Sequence, residues 1–438
     1  MRITSLLLIL VLLAGCTAAP DTVESPFAGD PWPDIRAERI ATLLPGAMEE
    51  NGLDAWVVIC RENNNDPLAD HVGCENAGGT AAFMFFRVGD GVRSVAISPR
   101  GEATSLAETG RMDEVIMSER GASIWDTMGE VFERFEPSTI GINTGQSPIT
   151  DGLSHTQYAS MMAGLPSMWT SRMQSAEPMI RSWLSVKTPA EVEIMARAAE
   201  ITAQWEVEAY AHAVGGVTTD RDIADFLEAK MAEMGVRDAW SPEQNPAINS
   251  GKDRGHSHPT DRTIQPGDFI QTDFGIRVHD RWVTDIQRFA YVLAPGETEA
   301  PQEALDRWEA AKRGSRAAFA AMKPGATGNE VDRAQRLVLE ENGSQPVMWG
   351  TGHPVGYWAH DSGPGLSGGR LGQELPRVAT QVLKPGMTFA FDGFHKWSLT
   401  DSTTKTISVE EMVVITEDGA QWMTPPQEEL ILIRTPLP

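Results

Sequence analysis

Two segments of this chain repeat one design, and the repetition limits what can fold around them. Pro266-Gly267-Asp268-Phe269-Ile270-Gln271-Thr272-Asp273 and Pro385-Gly386-Met387-Thr388-Phe389-Ala390-Phe391-Asp392 each run from a Pro-Gly pair through an apolar, β-like stretch to an acid six residues past the glycine. Each follows a helix-like segment opened by a capping box, Thr219 with Asp222 and Thr327 with Glu330. Gly235 and Gly343 close these segments 16 residues later. A duplicated unit can turn both acids onto one cleft. Converging carboxylates need a cation between them, so the repeat predicts a metal site.

The order around the repeats gives the fold class. From about residue 186 to 438 the pattern is helix, helix, strand pair, twice over, which is α+β rather than doubly wound. Thr188-Pro189-Ala190-Glu191 opens the first of these helices with a capping box and a proline at its first turn. Residues 34–185 alternate helix-like and strand-like segments and read as a separate α/β domain without a catalytic constellation. Ile35 to Glu50 and Ser123 to Phe135 have helical spacing, and Asp54 to Cys60, Ala81 to Val88, Arg93 to Ser98 and Thr139 to Asn143 read as strands. A chain of 438 residues is long enough for two such domains.

Further residues extend the metal site. Phe269 to Arg277 and Trp282 to Val292 flank a turn at Val278 to Arg281, and a hairpin centred on His279 sets Asp273 opposite Asp285. Like charges so placed repel, and a divalent cation removes the penalty. Two solvent-facing acids are the plainer alternative, which the bulky Phe269, Phe274 and Trp282 disfavour. A glycine-rich turn, Gly350 to Gly356, presents His353. Glu410 lies on a strand, Thr406 to Thr416, that pairs with the second repeat. Four carboxylates and an imidazole form an oxygen-rich set suited to two divalent ions.

These residues resemble the pita-bread metallohydrolases: aminopeptidase P, prolidase, methionine aminopeptidase and creatinase. The resemblance covers about residue 34 to the C-terminus and implies a creatinase-type N-terminal domain before the pita-bread domain. It implies Asp273, Asp285, His353, Asp392 and Glu410 as ligands to two divalent ions, manganese ahead of zinc, cobalt or iron. His256-Ser257-His258-Pro259-Thr260-Asp261-Arg262 is similar to the family's His-x-x-Pro-Thr-Asp-Arg segment, so His256 stands on the substrate side. His360 matches a second such histidine, and Gln287-Arg288 resembles the aminopeptidase P and prolidase branch. The implied reaction removes an N-terminal residue preceding proline from a peptide, with Asp392 as proton shuttle.

The sequence departs from the family in four places. Asp392 replaces a glutamate, Gly393 a proline, and Asp361 with Ser362 stands in a Glu-x-Pro segment. The Asp273–Asp285 spacing is one residue longer than usual. A non-peptide amidohydrolase of creatinase type and a non-catalytic, lipid-anchored binding protein therefore stay open. Metal content separates the first alternative, and turnover of Xaa-Pro peptides the second.

The N-terminus addresses the chain to the cell envelope. Arg2, an apolar run from Ile3 to Leu13, and Leu13-Ala14-Gly15-Cys16 resemble a bacterial lipoprotein signal. Residues 1–15 are then removed, Cys16 is lipidated and anchors the chain to a membrane, and residues 16–33 form a tether. A plain secretory signal with a chance cysteine is the alternative. The apolar run is shorter than the roughly 20 residues a membrane span needs. Outside the cytosol the remaining Cys60 and Cys74 suit a disulfide, with two free thiols as the alternative. A net charge of −25 argues against nucleic acid as a partner and against polybasic lipid attachment. A homodimer is left open.

Overall fold

The structure is a computed structural model that describes residues 26–74, 78–119, 121–370 and 374–438. Residues 1–25, with Cys16 and the signal, lie outside the described residues. Among the described residues no helix is long and apolar enough to cross a membrane.

The N-terminal part is built on a six-stranded mixed sheet. Its spatial order is Glu114–Ser118, Gly91–Pro99, Ala81–Val88, Ala55–Cys60, Ile140–Ile142, Met173–Ser175. The central strand Ala55–Cys60 is buried along its whole length, as its unbroken apolar run requires. The expected helix over 35–50 is two helices, Trp32–Thr42 and Leu44–Glu50, because Pro45 cannot continue the first. The tether ends earlier than expected: Trp32 already belongs to a helix and is 4% exposed. Cys60 and Cys74 are joined by a disulfide, with Cα atoms 6.4 Å apart.

The Arg39 guanidinium ties this part to the rest. It donates to the carbonyls of Trp183 and Val186 at 2.7 Å and to Glu191 Oε2 at 2.6 Å, and both charged side chains are fully buried. Glu191 is the acid of the Thr188 capping box that opens the helix Pro189–His212. It also accepts from the Trp282 indole and the Tyr357 hydroxyl. One carboxylate thus caps a helix and locks the Trp282 hairpin and the Tyr357 loop to the N-terminal part. A buried ion pair of this kind adds little net stability, because desolvation offsets most of the attraction, but losing one partner would leave the other charge uncompensated.

Two four-stranded sheets follow. One has the order Ile431–Ile433, Ile286–Val292, Phe269–Phe274, Ala247–Ser250; the other Gly352–Pro354, Thr388–Ser398, Thr404–Thr416, Gly419–Trp422. The helices Asp220–Met234 and Gly328–Glu341 both carry their full capping boxes. Both cap threonines form an isolated β-bridge to the residue three before the Pro-Gly pair, Thr219 to Thr263 and Thr327 to Val382. The matching sequence units therefore have matching local structures.

The first hairpin differs from the expected register. Its loop is His279-Asp280-Arg281, closed by the pair Val278 and Trp282, with positive φ at His279 and Asp280. The centre is Asp280, one residue past the expected one. Asp273 therefore pairs with Gln287, and Asp285 sits diagonally from it. Trp282, which closes the loop opposite Val278, has no exposed surface. Both acids stay on the same face, because moving the centre by one shifts partners by two. The expected long strands also break at Gly275 and at Thr284-Asp285. There Asn245 bonds both the N–H and the carbonyl of Gly275, at 3.0 and 2.8 Å, and a Cβ on Gly275 would meet the Thr284 carbonyl at 2.1 Å.

Candidate active site

The strand faces carry the acids inward. The strand carrying Glu410 pairs with the second repeat, as the sequence predicts, and its register sets Asp392 directly opposite Glu410. Asp392 is placed by its own N–H, which donates to the Thr351 carbonyl at 2.8 Å. Gly393 behind it is required by close packing: a Cβ there would meet the Ala311 carbonyl at 2.4 Å and Ser315 Cβ at 2.6 Å. The helix Gln302–Ala321 presses against the back of the strand at this point. That packing explains why neither proline nor a larger residue follows Asp392.

His353 reaches the same place from the edge strand Gly352–Pro354. Its Nε2 lies 3.7 Å from Asp285 Oδ2 and 3.7 Å from Glu410 Oε1. Ligand atoms of Asp285, His353 and Glu410 all lie within 4.8 Å of one another. The ring of His360 meets that of His353 edge-on, centroids 4.3 Å apart. His256, on the loop before the first repeat, is hydrogen-bonded through Nδ1 to Asp273 Oδ2 at 3.1 Å. Of the five expected ligands, three thus form one tight group. Asp273 and Asp392 flank it, and Asp273 is the one that holds His256.

Electrostatics mark the group as built for cations. Burial, then the neighbouring carboxylates, push Asp285 and Asp392 well above the usual range. Burial and Asp273 raise Glu410 to about 8. Burial, with His360 nearby, lowers His353 to about 4, so its imidazole is neutral and free to ligate. The hydrogen bond to Asp273 raises His256. Crowded, dehydrated carboxylates beside a neutral imidazole are stable when ionised only with positive charge among them. Hard oxygen donors with one imidazole suit divalent ions such as manganese, zinc, cobalt or iron. The residues present therefore fit the expected metal.

Three features were not assigned a role from the sequence. Gln287 links the two sheets: its Nε2 donates to Glu410 Oε2 at 2.7 Å, and its Oε1 accepts from Gln271 at 2.6 Å and Ser408 at 2.8 Å. Its position two residues past Asp285, on the same strand face, was the available signal. Glu206 is completely buried behind the group, near Arg288, Asp273 and Glu410. Neither of its oxygens has a hydrogen-bond partner among the described residues, and burial pushes its carboxyl well up. An acid at helical spacing with Thr202 and Ala209 on an otherwise apolar face was the signal here. Asp361 is a structural anchor. It lies 3.1 Å from the Lys187 ammonium and accepts the N–H groups of Tyr357 and Ser362, which fixes the loop between His353 and His360.

Comparison with known proteins agrees with this geometry. The sequence profile of metallopeptidase family M24 matches residues 193–417, more than half of the chain, and the protein belongs to that family. The Xaa-Pro dipeptidase of Pyrococcus furiosus is 27% identical over 262 residues, 58% of this chain and 67% of that one. Among solved structures, the X-Pro aminopeptidase of Thermotoga maritima has a TM-score of 0.64 at 19% identity, over 89% of this chain and 100% of that one. Dipeptidase PepE of Mycobacterium ulcerans has a TM-score of 0.63 at 23% identity, over 92% and 98%. The fold is thus the pita-bread fold of prolidases and aminopeptidases P.

Proposed function

We propose that the protein hydrolyses the bond preceding proline in short peptides with a free N-terminus, releasing the first residue. The observation that carries this reading is the buried group Asp285, His353 and Glu410 with the His256–Asp273 pair at its edge. The named activity of the Pyrococcus furiosus relative supports the Xaa-Pro preference. Two divalent ions held by Asp273, Asp285, His353, Asp392 and Glu410, manganese first, would supply Lewis acidity and a water of lowered pKa.

The chain's own residues do the rest. His256 keeps one N–H on Asp273. In its protonated form, which that contact favours, it offers Nε2–H to the scissile carbonyl oxygen and stabilises the developing oxyanion. Asp392 takes the proton of the attacking water. The nitrogen of an Xaa-Pro bond carries no hydrogen, so that proton must be delivered for proline to leave, and Asp392 delivers it. His360 orients the peptide. The two matching units are read as an internal duplication, and residues 34–185 as a creatinase-type domain before the catalytic one at 186–438. The disulfide at Cys60 supports an exported chain, anchored through a lipid on Cys16.

The test is a panel of Xaa-Pro dipeptides, Xaa-Pro-Yaa tripeptides and Xaa-Ala controls on metal-loaded protein lacking residues 1–16. Faster turnover of tripeptides than dipeptides identifies the aminopeptidase P pattern. Turnover of dipeptides alone identifies a prolidase, and equal rates on Xaa-Ala reject the proline preference. Cys16→Ser in the full chain should move the protein from membranes to the soluble fraction, since lipid anchoring rests on the acyl chains; retention on salt-washed membranes removes the anchor reading.

A further inference from the structure

The sheets hold a cavity that the peptidase chemistry does not use. It measures about 280 Å³ and opens between the helix Gln302–Ala321, the start of the strand Phe269–Phe274, and the hairpin joining Thr388–Ser398 to Thr404–Thr416. That volume is just below the usual range of small-molecule sites, about 300–1,000 Å³, and so suits a small ligand. Three of its walls are aromatic. Phe269 meets Tyr291 and Trp397 edge-on, with centroids 5.2 and 5.3 Å away. The Arg307 guanidinium lies over the Trp397 ring at 4.4 Å.

Lys405 is the group that needs explaining. It lines the cavity, is 1% exposed, and pairs with Trp397 in the ladder. Its ammonium has three N–H donors, and among the described residues it spends one of them, on the Asn249 carbonyl at 3.0 Å. The acids around it are committed elsewhere. Asp268 takes two bonds from Arg262, at 2.6 and 3.0 Å, and Glu303 takes Arg307. Asp253 accepts from the Thr406 N–H and hydroxyl at 2.9 and 2.8 Å. Burial lowers the Lys405 ammonium to about 8, which still leaves it mostly charged at neutral pH. A buried cation with unspent donors is costly unless an anion meets it.

We propose that this cavity is a binding site for a small carboxylate bearing a flat apolar group. The carboxylate would take the free donors of Lys405, and the apolar group would stack among Phe269, Tyr291 and Trp397. Offset and edge-on contacts with such rings suit planar groups. This site is separate from the peptidase reading, so either can fail alone.

The probe is phenylacetate, titrated by calorimetry into the metal-loaded protein. The expected result is saturable, one-site binding that Lys405→Met weakens at least tenfold while leaving peptide turnover unchanged. Glu410→Ala should leave this binding in place. Phenethylamine, which has the same ring but a cationic end, should not compete. Absence of saturation, binding untouched by Lys405→Met, or binding lost in Glu410→Ala would each overturn the proposal, the last because the carboxylate then sits on the metal group. Should Lys405→Met fail to fold, the native protein decides: equal binding of phenethylamine and phenylacetate rejects the site.

Discussion

The Gln287 amide donates to Glu410 Oε2 at 2.7 Å and so ties the strand of one sheet to the acid of the other. The two residues are 123 positions apart. Gln271 and Ser408 both bond the other end of the amide, so its orientation is set and it presents N–H, not oxygen, to Glu410. Groups that orient metal ligands are commonly worth about 10- to 100-fold in affinity or rate.

Gln287→Leu should therefore lower kcat/KM on an Xaa-Pro peptide by about 10- to 100-fold, with metal affinity falling in parallel. The fold should persist, since leucine fills similar space. Kinetics and metal titration of the same preparation check this. Unchanged affinity and rate would show that Glu410 needs no partner.

Removing metal should make stability fall with rising pH. Asp285, Asp392 and Glu410 all have folded pKa values above their unfolded ones. Between the two values the folded state holds more protons, so stability is greatest at low pH and is lost as pH rises. For Glu410 the window runs from its ordinary 4.5 to about 8. Calorimetry of chelated protein should show a midpoint several degrees lower at pH 8 than at pH 5.5, and added manganese should reverse the difference. A chelated protein that is more stable at pH 8 contradicts the crowding of these acids.

Glu206→Met should stabilise the chelated protein by about 1–3 kcal/mol, the usual cost of a buried polar group without a partner. Its raised carboxyl has the same sign as the acids above, so the gain should be larger at pH 8 than at pH 5. Urea unfolding at both pH values measures it. A loss of stability would mean that Glu206 has a partner, such as buried water, that the substitution breaks.

Asp392→Asn should reduce turnover at least about 100-fold, because the amide cannot accept the water's proton. Gly393→Ala tests the same strand from behind. Its methyl would overlap the Ala311 carbonyl, at a cost of about 1–3 kcal/mol, and would displace Asp392. Both variants should lose rate, but only the alanine variant should also lose stability. Asn activity within a few-fold of the native level takes Asp392 out of the proton path.

Much of the scaffold was legible because its signals are local. Capping boxes at Thr188, Thr219 and Thr327 are satisfied within three residues, and each opens its helix at the expected position. The strand Ala81–Val88 has its expected bounds, and the strand expected over 406–416 is found two residues longer, as Thr404–Thr416. Register in the first hairpin was not legible. A loop centred on His279 or on Asp280 keeps the same residues inward, so the alternation of apolar residues does not choose between them.

By itself, the sequence determined the residue types that meet at the centre, the faces they occupy, and the helices that frame them. Those follow from periodicity, caps and turns within a few residues. The tertiary structure alone decided that Gln287 holds Glu410, that Glu206 is shut in behind the site without a hydrogen-bond partner among the described residues, that Gly393 must lack a side chain, and that Lys405 faces a cavity. Each depends on two surfaces distant in sequence coming within bonding or van der Waals distance. Hydrogen bonds and overlaps change over tenths of an ångström, and only the packed chain sets distances that finely.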